Sequence, residues 1–210
     1  MSVVVGSTVM HPLQLAATAL IMSSLPLSYL TARAIRLRLP LPSIRPLLIA
    51  GCVITLLTYA LLGASDAQTQ TAEAPMGQVS VQMAYSAAKV RAMVASWSPE
   101  QIALSCFALG VDVLFAVAYG LTLALLSAWL DLSVFFIACG IGAAIIDIAE
   151  GLLILYSILT PAGVTEAHAL STTLVASVKF LLICVAIYGA IARPGTTSTA
   201  KKQEKSSKIN

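Results

Sequence analysis

Four stretches of this chain, at about residues 46–64, 99–130, 134–159 and 166–192, stay apolar without a break long enough to cross a bilayer. A span of about 30 Å of hydrocarbon takes about 20 helical residues. In hydrocarbon every backbone N–H and C=O must bond within the protein, and barrel strands would alternate apolar and polar residues over about ten positions. Continuous runs of this kind therefore fold as helices. Composition agrees, with 59% hydrophobic and 10% charged residues and a mean hydropathy of +0.93, against about 25% charged in an ordinary soluble domain. The expected fold class is all-α: an integral membrane helical bundle of four core transmembrane helices, with an N-terminal fifth and a short extramembrane amphipathic helix.

The fifth helix falls at Leu13 to Ala32, where Gln14, Ser23, Ser24, Pro26 and Ser28 make the run polar for a span and Pro26 predicts a kink. An interfacial or organelle-targeting segment is the alternative reading. Arg33 to Arg45, punctuated by Pro40 and Pro42, reads as a basic loop. It completes an N-terminal segment, 1–45, ahead of a bundle at 46–192. Pro46 suits the first turn of the next span. Arg45, the apolar run after it and the small residues Ala64, Ser65 and Ala67 also have the form of a signal peptide with its cleavage site. Cleavage near Asp66 would leave three spans.

Ser65 to Gly77 is a polar loop. From Val79 to Ser96 the apolar residues Met83, Ala87, Val90 and Val94, followed by Trp97, recur at steps of three and four, with Ser86, Lys89 and Ser96 on other faces. This predicts an amphipathic helix lying on the membrane surface or capping the bundle. Ser98, Pro99, Glu100 and Gln101 then form an S-x-x-Q capping box, and Trp97 and Ile102 flank it as a hydrophobic staple, so a long helix begins here. Trp97 also suits a membrane interface. Asp131 and Ser133 turn the chain into 134–159, Thr160, Pro161 and Gly163 end that helix, and Thr165 caps the last one. Residues 193–210 form a basic tail of disordered composition.

The basic residues gather in two clusters, Arg33, Arg36, Arg38 and Arg45, then Arg193, Lys201, Lys202, Lys205 and Lys208. Four crossings separate them, so both fall on the cytoplasmic side by the positive-inside rule, with the carboxyl terminus inside. The tail suits anionic lipid. No aromatic interleaving points to nucleic acid.

Ionisable residues interrupt the apolar runs at matched depth. Asp112 lies thirteen residues past Pro99, Asp147 thirteen past Val134 and Lys179 thirteen past Glu166. At about 1.5 Å per residue, each sits about 20 Å along its helix, near the middle of a bilayer. Glu150, three residues past Asp147, shares its helix face. A charged residue facing lipid at that depth costs roughly 2.5–3.5 kcal/mol on the insertion scale, so Asp112, Asp147, Glu150 and Lys179 are expected to form an interior cluster. Tyr119, seven residues past Asp112, lies near the same face. Three acids and one base leave surplus negative charge, to be met by a proton, a cation or a water cavity. The simplest alternative is structural, with Lys179 pairing Asp147 or Glu150 and fixing helix register. Gly140, Ala143, Ala144 and Gly151 lie near the side of Asp147 and predict close helix approach.

The remaining chemistry is sparse. Cys52, Cys106, Cys139 and Cys184 stand singly, with neither CxxC nor Cys/His spacing, and read as small apolar residues. His168, at the end of its helix, reads as an interfacial structural histidine, and His11 forms no haem pair with it. There is no HExxH, GxSxG, Walker or dinucleotide motif. No metal and no cofactor are expected.

From about Val79 to Ala192, just over half the chain, the sequence resembles a family of small multi-pass membrane proteins known mainly from genome sequences. Ala95-Ser96-Trp97, Asp112 with Phe115, Ala118-Tyr119-Gly120, and the D-x-x-E of Asp147 and Glu150 carry the resemblance. In that family an Asn commonly follows the Glu, where this chain has Gly151. The resemblance implies a four-helix core and no established activity. The function expected first is non-enzymatic, an accessory or assembly component held together by a polar core, with the bilayer and a membrane protein or a second copy as partners. The alternatives are a small proton- or cation-coupled carrier using the carboxylates, and a membrane enzyme acting on lipid. A cavity reaching the acids would separate these from the structural reading.

Overall fold

The apolar runs fold as five long helices in the computed structural model, which describes residues 3–5 and 8–192. They are α1 (Pro12–Arg38), α2 (Leu41–Gln68), α5 (Pro99–Trp129), α6 (Val134–Leu159) and α7 (Glu166–Ile191), with the short α3 (Val79–Gln82) and α4 (Ala87–Ala95) between α2 and α5. All five are long and apolar enough to cross a membrane, which makes the protein an all-α bundle of integral membrane type. A two-stranded hairpin, Val3–Val5 with Thr8–Met10, precedes α1. The basic tail lies outside the described residues.

Helix α6 is the axis. Helices α1, α5 and α7 pack around it, whereas α2 packs on α5. Sequence dictates this centrality, because α6 is studded with small residues, Gly140, Gly142, Ala143, Ala144 and Ala149, all buried, which let neighbouring backbones come close. The predicted small-residue face is borne out at Gly140 and Ala144, which meet α5 at Gly120. Gly151 is an ordinary contact, with only Leu109 near the position a Cβ would take.

Three expectations about element ends are corrected. The basic loop of 33–45 shrinks to Leu39 and Pro40, because α1 runs on to Arg38 and α2 starts at Leu41. Pro40 forces Leu39 into an extended conformation (φ −92°, ψ 115°), and Pro42 then sits in a first turn that needs no N–H. Pro46 falls one turn further in than expected, inside α2. At its other end α2 continues through Ala64, Ser65 and Asp66 to Gln68, so Asp66 is a helical residue.

The single amphipathic helix expected over 79–96 is two helices. Tyr85 takes a left-handed conformation (φ 51°) and Ser86 an extended one that starts α4. The predicted apolar face holds within α4 and beyond: Ala87, Val90, Val94 and Trp97 are buried, while Met83 is exposed. This segment caps one end of the bundle, packed on Leu109, Ile154, Tyr156 and Ile158. Polar ties hold it down. Thr173 Oγ1 donates to Gln82 O at 2.9 Å, Arg91 Nη1 donates to Val164 O at 2.8 Å, and Glu166 accepts from Ala87 N at 3.1 Å.

The capping box at Ser98 forms as expected, with Gln101 N donating to Ser98 Oγ at 3.3 Å and Ser98 N to Gln101 Oε1 at 3.0 Å. Thr165 likewise accepts from His168 N. Helix α1, the most polar of the five, is fixed at both ends. His11 and Gln14 form a second capping box, and Arg36 donates to Leu132 O at 3.0 Å and pairs with Asp131 at 3.2 Å on the α5–α6 turn.

Candidate functional site

Midway along the bundle, Lys179 of α7 reaches into the face of α6 that carries Asp147 and Glu150. Its Nζ lies 2.8 Å from Asp147 Oδ1 and 2.6 Å from Glu150 Oε2. The pairing is with both acids rather than with either one. All three side chains are at most 7% exposed, so the charges compensate one another at close range. The Lys179–Asp147 contact has hydrogen-bond geometry. Glu150 Oε1 has no hydrogen-bond partner among the described residues, so the triad still carries an unmet acceptor.

Beside the triad lies a cavity of about 630 Å³, walled by α2, α5 and α7 and touched from behind by α6. Asp112, Tyr119, Asp147 and Lys179 all line it. The interior cluster expected from sequence is thus brought together, with one distinction. Glu150 sits behind Lys179 and is fully buried, whereas Asp112, half-buried, faces the cavity and enters no ion pair among the described residues. The Tyr119 hydroxyl is buried on the side of Asp147 and, among the described residues, makes no hydrogen bond of full geometry. Its ring packs at a tilt against Phe115, centroids 5.1 Å apart, and Phe115 in turn lies 6.1 Å from Tyr59 of α2.

The capped end of the cavity holds residues that sequence reasoning missed. Asp66, Gln78 and Gln82 line it there, and Asp66 Oδ1 accepts from Gln78 N at 3.1 Å. Gly77 makes this turn possible. It has φ +59°, and a Cβ on it would lie 2.5 Å from Asp66 O, an approach that only glycine tolerates. A signal existed, since Ala64 to Gln68 contains neither Gly nor Pro to end the helix.

Two further predicted residues lie elsewhere. Trp97 is buried in the cap, and its Nε1 donates to Thr69 O at 2.8 Å. His168, in the first turn of α7, is buried where α1, α6 and α7 meet. Its Nε2 lies 2.9 Å from Ser157 Oγ and 3.2 Å from Leu153 O, its Nδ1 3.2 Å from Gln14 Nε2. Gln14 can only donate to Nδ1, so the proton sits on Nε2 and is shared with Ser157 and Leu153. None of these residues lines the cavity beside the triad, and the group ties three helices together.

Set against family models, curated proteins and solved structures, the chain matches none.

Proposed function

We propose that this is a non-enzymatic membrane protein that binds a small ligand inside its helical bundle, with the carboxylates of Asp112 and Asp147 as the polar anchor. One observation carries the reading: the 630 Å³ cavity reaches Asp112, Asp147, Tyr119 and Lys179. A cluster serving only to fix helix register gains nothing from an open space beside it, and pockets that take small organic ligands run about 300–1,000 Å³. The bundle lies across a bilayer with its charged triad near mid-depth, and the Arg33–Arg45 segment and the carboxyl tail face the cytoplasm, following the positive-inside rule.

A proton- or cation-coupled carrier is the second reading, favoured by the surplus of carboxyl groups around Lys179. A lipid-acting enzyme is supported less, because the cavity-lining residues include carboxylates but no serine, cysteine or histidine among those described.

Accessibility tests the reading. In a background with Cys52, Cys106, Cys139 and Cys184 replaced by Ala, Ala108→Cys on the cavity wall should react with N-ethylmaleimide in folded, reconstituted protein. Ala149→Cys, fully buried away from the cavity, should not. Equal inertness at both positions would mean that nothing enters the cavity and that the cluster is purely structural.

A further inference from the structure

The shape, charge and wall chemistry of the cavity together specify a class of occupant. Its volume of about 630 Å³ is on the order of twenty water volumes at about 30 Å³ each, far more than a proton or a bare cation requires. Its walls between the polar groups are apolar, with Leu62, Ala108, Leu123, Ile183 and Ile187 among them. Such surface is better covered by hydrocarbon than by water. The opening is sideways. Tyr59 on α2 and Phe180 and Ile187 on α7 line the cavity yet are 65%, 51% and 42% exposed, so the space between α2 and α7 opens on the bundle's flank, where the bilayer lies.

Charge then selects the head group. Lys179 is engaged by two carboxylates at 2.8 and 2.6 Å, which leaves little positive potential for an anion. Asp112 has no ion partner among the described residues, and Asp66 stands at the capped end of the same space. Tyr119, a residue 7% exposed, lines the same space beside Asp147. The aromatic residues Tyr59, Phe115 and Tyr119 line the same cavity as these acids, while the Phe180 ring already carries the Lys179 ammonium at 4.9 Å. Carboxylate together with aromatic faces is the chemistry that holds an ammonium group, by ion pairing and by attraction to the ring quadrupole.

We infer that the cavity takes a single-chain lipid amine, which enters from the bilayer between α2 and α7, places its ammonium group between Asp112 and the Phe115 and Tyr119 rings, and lays its chain along the apolar wall. This rests on the cavity being a ligand site. A zwitterionic phospholipid fits less well, because its phosphate would enter a space where carboxylates outnumber the one, already paired, ammonium group.

The test follows labelling of Ala108→Cys, one turn from Asp112, by N-ethylmaleimide in the cysteine-free protein in phosphatidylcholine vesicles. Dodecylamine should slow labelling about tenfold, the scale of one charge-assisted hydrogen bond in a buried site. Dodecanol, dodecanoate, lysophosphatidylcholine and propylamine should slow it less than twofold, a weak background effect. Asp112→Asn should remove the dodecylamine effect, read as the ratio of that variant's own labelling rates with and without the amine, because loss of the neighbouring carboxylate can itself speed the reaction of the thiol. Should that variant not fold, Phe115→Leu should weaken the protection severalfold. Protection by dodecanol or dodecanoate equal to that by dodecylamine, protection by lysophosphatidylcholine or propylamine to the same degree, or protection that survives both variants would overturn the lipid amine while the ligand site stands. No protection by any probe at a reactive Ala108→Cys would do the same. An Ala108→Cys that never reacts would remove the ligand site itself.

Discussion

Gly120 on α5 and Gly140 on α6 face each other so closely that neither position has room for a side chain. A Cβ on Gly120 would stand 2.5 Å from Ala144 Cβ and 3.0 Å from Gly140 O, and a Cβ on Gly140 would stand 2.9 Å from Leu123 Cβ and 3.1 Å from Gly120 O. The obstacle on each side includes backbone, which cannot rotate away. This contact sets the distance between the helix that carries Asp112 and Tyr119 and the helix that carries Asp147 and Glu150.

Replacing Gly140 by Leu should therefore force α5 and α6 apart. Overpacking of this kind costs about 1–3 kcal/mol, and the variant should show a lower Tm in detergent than the parent protein. Gly63→Ala is the matched control, because a Cβ there meets nothing within 4 Å, and its Tm should not fall. Equal losses in the two variants would mean that helix propensity or expression, not the α5–α6 contact, sets the effect.

Much of this arrangement was legible from residue types and spacing alone. Thirteen-residue offsets placed Asp112, Asp147 and Lys179 at one depth, and the structure brings Asp112, Asp147 and Lys179 to one cavity. The capping box at Ser98 was readable because its bonds are local. What lay beyond reach was tertiary. No periodicity distinguishes an Asp112 that faces a cavity from one paired with Lys179, since that depends on α2 leaning on α5 rather than on α7. The break at Tyr85 was hidden for a related reason: a left-handed tyrosine is intrinsically costly, and tertiary contacts on either side of it, Gln82 with Thr173 and α4 with Glu166 and Val164, hold the turn. Prolines misled in the opposite direction, because Pro40 and Pro42 interrupt the chain for two residues where they suggested a loop of a dozen.

The buried group at His168 predicts that α1 is an energetic part of the bundle and not an appendage. His168→Ala would leave Ser157 and Gln14 without their partner at the α1–α6–α7 junction, a loss of about 1–3 kcal/mol. Gln14→Leu should cost less alone. Because the two side chains touch, the double variant should show a coupling of about 0.5 kcal/mol or more in thermal or denaturant unfolding. Strict additivity would mean that α1 packs on the bundle without using this contact.

Transport can be separated from binding by flux. In vesicles with a trapped pH-sensitive dye, the parent protein and the Asp147→Asn, Glu150→Gln double variant should pass protons equally slowly, because both acids are held by Lys179 and Glu150 does not line the cavity. The double variant should nevertheless be less stable, since it leaves the ammonium group buried with neutral partners. A parent flux well above that of the variant would promote the coupled-carrier reading over ligand binding.

The strongest stability effect should come from Lys179. Substituting Met removes the one positive charge that faces both Asp147 Oδ1 and Glu150 Oε2 and strands two carboxyl groups that are almost wholly buried. Breaking a buried pair from one side costs about 3–5 kcal/mol, whereas replacing all partners with neutral groups of similar size is often close to neutral. Lys179→Met alone should thus be the least stable protein. Lys179→Met with Glu150→Gln should recover part of the loss, and adding Asp147→Asn should recover more. Thermal unfolding of the three variants in one detergent gives the order directly. If the single variant proves as stable as the triple, the stranded carboxyls are being met by protons or by water from the cavity, and the three ions contribute far less to holding α6 and α7 together than their distances imply.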